Sequence, residues 1–482
     1  MSKHRRVAVV GAGIAGLAAA HALSRNAPDI ETVLIERDRR LGGKIVTERV
    51  GGFVIEGGPD SFLSSKPRGL GLAIELELES RLEGPNERMR RTFVLQGGRL
   101  HDLPEGLSGL VPSRLEPLLD SDLFSPTGKE RLQEEPAIPP RSGSDDEPLA
   151  SFVRRRFGPE VYDRMIEPLM AGIYAGDGER LSLDATFPQL RRLELEYRSL
   201  MTGIAATSAQ QRQNEPPRPA FLTPISGMME IVEAVSARLA HRTRISTGTA
   251  VRWLQRHGNG YRMELDDGSV LVADAVVIAI PAHQTGLLLE GMDGALSDAL
   301  SSIPHESSAT VSLAYPLSAL PQPLNGYGYI IPRQEGRPAL ASTWTSTKFR
   351  HRAPEDFALI RVFLGGAGRE HVLDGSDHDL VEAARTELRA TLGIVQTPAL
   401  HRVYRWMQGM PQYTLGHLDR LRMIEECLQE LPGIFLAGNA YRGVGIPDCI
   451  LSGETAAYEA AAYLSQRPSR PSLPQLDQAI GG

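Results

Sequence analysis

The chain has 482 residues, which suits two or three domains with a sizeable core. Its 52 basic and 59 acidic residues give a net charge of −7, so the composition excludes a basic surface for nucleic acid. Cys427 and Cys449 are the only two cysteines and cannot form a disulfide framework, which indicates a reducing compartment. We expect no signal peptide. The sequence contains no run of about 18 apolar residues, so we also expect no transmembrane helix.

The first predicted element is an apolar strand that runs into the pattern Gly-x-Gly-x-x-Gly. Gly11 would make the turn, Gly13 would let the backbone approach a pyrophosphate, and Gly16 would let the following helix pack on the strand. A second apolar run ends at Glu36, where a carboxylate would accept hydrogen bonds from ribose hydroxyls. The spacing predicts a dinucleotide-binding βαβ unit over residues 1–65.

Three glycine pairs follow Glu36, at residues 42–43, 51–52 and 57–58. Paired glycines allow the backbone to pass close to a bulky ligand, and Arg40 is a candidate partner for a phosphate. The alternative is a set of hairpin turns with a surface arginine, and the residues alone leave both open.

The middle of the chain, residues 85–215, has a mainly helical pattern with many charges. Within it, residues 133–148 are rich in proline, serine and acidic residues and predict a mobile loop. The segment 172–177 interrupts the helices with small residues, so either a ligand comes close there or the segment is a plain turn.

The second half of the chain returns to strands. Residues 249–281 contain a strand pair and a buried strand, and residues 295–400 alternate strands and helices with many aromatic side chains. A further strand, 434–439, ends in Gly-Asn and precedes a helix over about 449–464, after which residues 466–482 are expected to be disordered. The nucleotide pattern is thus split between the two ends of the chain, which favours FAD over NAD, because an NAD domain normally completes itself within one segment.

With these motifs in place, the chain resembles the oxygen-dependent protoporphyrinogen/coproporphyrinogen oxidases of haem biosynthesis from about residue 6 to residue 464. The resemblance rests on segments 57–62, 172–177, 410–417 and 438–445, which are more specific than the N-terminal glycines. Amine oxidases and phytoene desaturases are similar only at the two ends of the chain.

The resemblance implies an α/β fold with three units. These are a discontinuous FAD-binding Rossmann-like domain over 1–65, 220–290 and 400–465, a helical domain over 85–215, and an α+β substrate-binding domain over 295–400 with parts of 66–85. It also implies non-covalent FAD and conversion of a porphyrinogen to a porphyrin with O2 as the acceptor.

The resemblance and the motifs together assign two sets of residues. The set expected around FAD is Gly11, Ala12, Gly13, Ile14, Ala15, Gly16, Glu36, Arg37, Arg40, Gly43, Lys44, Gly57, Gly58, Pro59, Asp60, Val251, Trp406, Gly438, Asn439, Ile446, Pro447 and Asp448. The set expected around substrate is Arg91 for a propionate, an apolar clamp of Ile330, Trp344 and Phe363, Gly172, and Lys66, which matches a position that is basic in coproporphyrinogen-using relatives.

Several alternatives stay open. The resemblance at Lys66 and the neighbouring motifs favours coproporphyrinogen III as substrate over protoporphyrinogen IX. A flavin amine oxidase and a flavin carrier without turnover are further interpretations. We assign no catalytic base and no metal, because the flavin carries the chemistry. The resemblance leaves open a peripheral contact with the inner face of the membrane and a transient contact with the next enzyme of the haem pathway.

Overall fold

The computed structural model describes residues 5–108, 111–112, 114–143, 145–214 and 218–466. Of the expected disordered tail, residues 467–482 lie outside the described residues. The strands are β1 (Arg5–Val10), β2 (Ile30–Glu36), β3 (Thr47–Val50), β4 (Phe53–Glu56), β5 (Phe62–Leu63), β6 (Leu82–Glu83), β7 (Phe93–Gln96), β8 (Arg99–Asp102), β9 (Leu107–Ser108), β10 (Val111–Pro112), β11 (Phe221–Pro224), β12 (Thr243–Thr247), β13 (Val251–His257), β14 (Gly260–Leu265), β15 (Val270–Ala273), β16 (Ala275–Ile278), β17 (His305–Pro316), β18 (Gly328–Ile330), β19 (Ala339–Trp344), β20 (Phe357–Gly365), β21 (Leu400–Pro411) and β22 (Ile434–Leu436).

The helices connect these strands and form one region of their own. They are α1 (Ile14–Asn26), α2 (Pro67–Glu75), α3 (Glu116–Asp120), α4 (Pro126–Gln133), α5 (Leu149–Phe157), α6 (Pro159–Val161), α7 (Glu167–Tyr174), α8 (Leu183–Thr186), α9 (Pro188–Tyr197), α10 (Leu200–Asn214), α11 (Met229–Leu239), α12 (Ala282–Leu289), α13 (Gly294–Ser301), α14 (Thr345–Lys348), α15 (Asp377–Leu392), α16 (His417–Gln429) and α17 (Ile446–Ser465).

A five-stranded parallel sheet in the order β12-β2-β1-β16-β22 joins three distant parts of the chain. Its central strands are apolar on both faces because helices or a second sheet cover both sides. Val7 and Val9 face a cluster with α1, α11 and α17, while Ala8 and Val10 face a cluster with β13–β15, α12, α13 and α16. The start of the chain and its last strand therefore share one sheet, as the split nucleotide pattern predicts.

A seven-stranded sheet in the order β21-β17-β20-β19-β18-β7-β8 forms the second layer. All neighbours in it are antiparallel except β18 and β7. Two of its members lie outside the stretch expected for the substrate unit. Strand β21 pairs along its length with β17 rather than with the nucleotide sheet, and β7 and β8 leave the expected helical region to complete this sheet. We keep the division into three units as a proposal.

The helical region, α3–α10, packs around its own apolar cluster. The segment 133–148, expected to be a mobile loop, is anchored to this region. Glu135 is fully buried in a short 3-10 turn and pairs with the equally buried Arg156, while Glu147 is buried and pairs with Arg155. The polar composition predicted mobility because it could not reveal that two of the carboxylates are bound inside the fold.

Two further findings concern the described part of the chain. No helix there is both long enough and apolar enough to cross a membrane. The same residues contain no group of three or more His, Cys, Asp or Glu side chains that could hold a metal ion.

Candidate active site

The glycine turn between β1 and α1 forms the first part of the site. Gly11 has φ +98°, a conformation that favours glycine, and a Cβ on Gly16 would lie only 1.8 Å from the Gly11 carbonyl oxygen. Gly13 caps α1 without any side-chain hydrogen bond, and a Cβ on it would meet no atom within 4 Å. The first N–H groups of α1 therefore face open space, which is the cradle that a pyrophosphate requires.

The end of β2 places a carboxylate beside this turn. Glu36 accepts hydrogen bonds from the backbone N–H of Ala12 at 2.6 Å and of Asp38 at 2.9 Å. The backbone carbonyl of Glu36 also accepts from Thr249, just ahead of Val251 at the start of β13. Glu36 thus borders the glycine turn, and Val251 lies two residues beyond its partner Thr249; contact of either residue with the ribose stays a prediction.

The two arginines assigned here differ from each other. Arg37 is largely exposed and lies 3.8 Å from Asp38. Arg40 folds back on its own loop and donates to the carbonyls of Gly43 at 2.6 Å and Ile45 at 3.3 Å. A phosphate contact by Arg40 stays a prediction, since its guanidinium already binds backbone carbonyls.

The loop that follows β2 approaches the glycine turn closely. Gly43 has φ +56°, and a Cβ on it would lie 3.0 Å from the Cα of Gly13. Lys44 is partly buried and donates to the carbonyl of Gly409, and desolvation lowers its pKa. This lysine joins the nucleotide unit to the end of β21.

The segment 57–60 is held by side chains of the seven-stranded sheet. The carbonyl of Gly57 accepts from Thr310 at 3.0 Å, Trp406 at 2.9 Å and Arg361 at 3.2 Å. Asp60, one residue beyond Pro59, accepts from Lys348 at 2.9 Å. Burial alone would raise the pKa of Asp60, but the charges of Lys348 and Arg361 outweigh it and hold that pKa well below its usual range.

The C-terminal part of the site lies between β22 and α17. A Cβ on Gly438 would meet no atom within 4 Å, and the carbonyl of Asn439 accepts from the Tyr413 hydroxyl at 2.7 Å. Ile446 and Pro447 form the buried first turn of α17, whose Asp448 accepts from the N–H of Gly445 at 3.2 Å. The turn after β22 is therefore open at Gly438, whereas the start of α17 is capped by its own Asp448.

Two of the three expected clamp residues lie on one face of the seven-stranded sheet. Ile330 is opposite Ala341, and Ala341 is opposite Phe363, so their side chains share a face that we call the chamber face. Phe363 also packs against Ala171 of α7, next to Gly172. Gly172 is exposed, with no atom within 4 Å of the position of a Cβ, so the chamber face and α7 border accessible space.

Trp344 and Arg91 are not brought together with that pair. Trp344 lies three residues after Ala341, so strand alternation turns it to the opposite face, where its ring is 5.6 Å from that of Phe93. Arg91 lies on the same side, 5.0 Å above the Phe93 ring, and forms a bidentate pair with Asp102 at 2.9 and 2.8 Å. The expectation that Trp344 completes the apolar clamp is therefore wrong for this structure.

Lys66 and Asp448, assigned to substrate and to FAD respectively, bind each other. The Lys66 ammonium donates to the two Asp448 carboxylate oxygens at 2.8 and 2.6 Å. The pair links the start of α2 to the first turn of α17 and leaves the lysine half-exposed.

Three residues of the site were missed in the sequence: Thr310, Lys348 and Arg361. The available signal for Arg361 was its position as the single charged residue in the apolar run of β20. Thr310 and Lys348 carry no comparable signal, because their partners are distant in the chain.

The open start of α1, the carboxylate at the end of β2 and the glycine-lined approach fit FAD, and they define an FAD-dependent oxidoreductase. When bound, FAD supplies a two-electron acceptor for hydride. The chain matches the model of the flavin-containing amine oxidoreductase family over residues 14–461, and it belongs to that family.

Named relatives cover nearly the whole chain. It is 36% identical to the coproporphyrinogen III oxidase of Bacillus subtilis, over 95% of this chain and 98% of that protein. It is 33% identical to chloroplastic protoporphyrinogen oxidase 1 of Arabidopsis thaliana, over 95% and 88%. An Exiguobacterium sp. 255-15 crystal structure, provisionally named a protoporphyrinogen oxidase, superimposes with a TM-score of 0.85 at 33% identity, covering 97% of this chain and 100% of that one. Reduced UDP-galactopyranose mutase shares the fold, with a TM-score of 0.71 at 16% identity, over 96% and 95%.

Proposed function

We propose that the protein oxidises a porphyrinogen to a porphyrin with O2 as the acceptor, with coproporphyrinogen III as the preferred substrate. The observation that carries the proposal is the continuity of the chamber face with the flavin site. The apolar row of Ile330, Ala341 and Phe363 shares its sheet face with Arg361 and Thr310, which bind the carbonyl of Gly57.

A porphyrinogen suits such a wall because its macrocycle is apolar and carries carboxylates only at its edge. The chamber face would pack against the ring and exclude water while a bridging methylene loses hydride. Named relatives include both coproporphyrinogen III and protoporphyrinogen oxidases, which supports this substrate class. An amine oxidase is disfavoured, since eight relatives that are 31–36% identical to this chain are named as coproporphyrinogen III or protoporphyrinogen oxidases.

The choice between the two porphyrinogens depends on charge. Coproporphyrinogen carries four propionates and protoporphyrinogen two, so the former gains more from a cation at the mouth of the site. Lys66 is the candidate, and a propionate would take the place of the Asp448 carboxylate on it. Arg91, the other candidate, lies on the far side of the sheet and is paired with Asp102.

The test is turnover of both porphyrinogens in air, followed by porphyrin fluorescence at one ionic strength, because salt screens a charge-based preference. We expect a higher kcat/KM for coproporphyrinogen III. Lys66→Met should narrow the preference for coproporphyrinogen III by at most about five-fold, since a half-exposed ion pair contributes about 1 kcal/mol at most and Asp448 competes for the lysine. Arg91→Met is the matched control and should leave the preference unchanged.

Three results would count against the proposal. Absence of enzyme-dependent porphyrin from either substrate would refute porphyrinogen oxidation. A preference for protoporphyrinogen IX that Lys66→Met does not alter would assign the chain to the other substrate. A narrowing by Arg91→Met and not by Lys66→Met would return the propionate contact to Arg91.

A further inference from the structure

One backbone carbonyl of the flavin site receives three side-chain donors from three adjacent strands. Thr310 of β17, Arg361 of β20 and Trp406 of β21 all donate to the oxygen of Gly57, within 2.9–3.2 Å. Arg361 also donates to the carbonyl of Gly58 at 2.6 Å. These donors fix the seven-stranded sheet to the nucleotide unit at the 57–58 turn.

Arg361 is an unusual residue for its position. It is only 4% exposed, sits in an otherwise apolar strand, and its Nε has no hydrogen-bond partner among the described residues. Burying a guanidinium without a carboxylate in contact is unfavourable, and the nearest compensation is the charge of Asp60 acting at a distance. A leucine would fill an apolar strand more favourably, so the arginine needs another explanation.

The guanidinium also contacts the substrate side. It lies 4.7 Å from the centre of the Phe363 ring, which belongs to the chamber face. One planar group therefore donates to the carbonyls of Gly57 and Gly58 and also lies over the ring of Phe363. Arginine suits this double contact because its fork is rigid and stacks on aromatic rings.

We propose that Arg361 is a positioning residue that fixes the distance between the flavin site and the chamber face. The inference rests on the proposed function, in which Phe363 packs against the porphyrinogen. Hydride transfer requires reacting atoms about 3–3.5 Å apart, and a misplacement of about 1 Å lowers the rate by roughly 10²-fold. Arg361 has no acid–base role in this proposal.

The experiment compares four holoproteins with wild type. Arg361→Gln removes the fork and the charge, Arg361→Lys keeps the charge, and Thr310→Val removes only another donor to Gly57. Arg402→Gln is the matched control, because Arg402 also lies on this sheet and bridges to the nucleotide unit, but it is partly exposed and donates to Glu48 instead of to the carbonyls of Gly57 and Gly58.

The readout separates two half-reactions. Anaerobic mixing with coproporphyrinogen III measures flavin reduction, and mixing the reduced protein with O2 measures reoxidation. We expect Arg361→Gln to slow reduction about 10²-fold, with Arg361→Lys and Thr310→Val intermediate. In these three variants the reoxidation rate and the Kd for FAD should stay within about two-fold of wild type. For Arg402→Gln the reduction rate should also stay within that range.

A second readout does not depend on turnover. Amide hydrogen exchange across residues 57–62 should be faster in the apoprotein of Arg361→Gln, because the two carbonyls lose their donor. Unchanged exchange together with unchanged reduction would overturn the proposal. So would equal losses of reduction rate and FAD affinity in Arg361→Gln with normal reduction in Thr310→Val, since that pattern describes a folding defect.

The remaining outcomes are also decisive. If Arg361→Gln does not fold, normal reduction in both Arg361→Lys and Thr310→Val overturns the proposal. If neither porphyrinogen reduces the flavin of the wild-type protein, the proposed function fails. Amide hydrogen exchange in Arg361→Gln then tests by itself whether Arg361 holds the 57–58 turn.

Discussion

The buried ion pair of the helical region offers a sharp test of the structure. Arg156 and Glu135 are both fully buried and in direct contact. Glu135 also accepts from the Ser199 hydroxyl at 2.6 Å and from the N–H of Leu200 at 2.9 Å, so one carboxylate ties the segment 133–148 to α5 and α10. Glu135→Gln keeps the shape of the side chain and removes its charge.

The expected loss of stability follows from the remaining partners. Removing one member of a buried pair typically costs about 3–5 kcal/mol, because the other charge is left uncompensated. Glu194 stays 3.6 Å from Arg156 and the glutamine oxygen can still accept, so we expect the lower end, about 3 kcal/mol. Glu134→Gln is the matched control: Glu134 is well exposed and 3.6 Å from Arg131, and its loss should change stability by less than about 0.5 kcal/mol.

Limited proteolysis of the holoprotein measures this difference locally. If opening of the segment is fast compared with cleavage, the cleavage rate reports the open population, and about 3 kcal/mol corresponds to roughly a 10²-fold increase. Mass spectrometry should place the new cuts within residues 133–148. Equal cleavage of Glu135→Gln and Glu134→Gln would refute the anchored segment and support the mobile loop that the composition predicts.

Three further predictions concern the cofactor, the substrate and pH. Gly13→Val should prevent retention of FAD, measured by flavin absorbance, whereas Gly294→Val at the similarly open start of α13 should retain it. Phe363→Ala should lower kcat/KM for porphyrinogen at least ten-fold with normal FAD content, and equal losses of both would make Phe363 a core residue. Burial lowers the pKa of His417 to about 4, so the unfolded chain binds a proton first as pH falls from about 6.5. This histidine therefore lowers the free energy of unfolding progressively as pH falls to about 4. In His417→Gln the urea unfolding midpoint should depend less on pH across that range, and an unchanged pH dependence would contradict the lowered pKa.

The sequence predicts the parts of this site that are local. The strand, glycine turn and helix around Gly11 and Gly13 span few residues, and the steric reason for Gly16 is the carbonyl of Gly11, five residues earlier. The donors to Gly57 lie 253 to 349 residues away from it in the chain, so no spacing rule could connect them. The same holds for the distant partners Lys66 and Asp448.

The misplaced clamp residue has a different cause. Which strand residues share a face depends on the register between strands, and Ile330 pairs with Ala341, three residues before Trp344. Residue types do not reveal that register, so Trp344 could not be placed relative to Ile330 from composition alone. The residue types were sufficient to identify an aromatic-rich substrate unit and insufficient to say which aromatic ring faces the flavin site.

The two cations expected to select the substrate are both neutralised by carboxylates, which changes how selection can work. Lys66 is paired with Asp448 and Arg91 with Asp102, so a propionate must replace a carboxylate and cannot simply fill a vacant charge. Because Lys66 is about half exposed, its pair contributes about 0–1 kcal/mol, and exchange of Asp448 for a propionate is nearly balanced. The resulting preference for coproporphyrinogen III should therefore be modest, and it should shrink as ionic strength rises. Release of Asp448 also frees a carboxylate at the first turn of α17, so binding of a propionate at Lys66 would change the charge next to the flavin site.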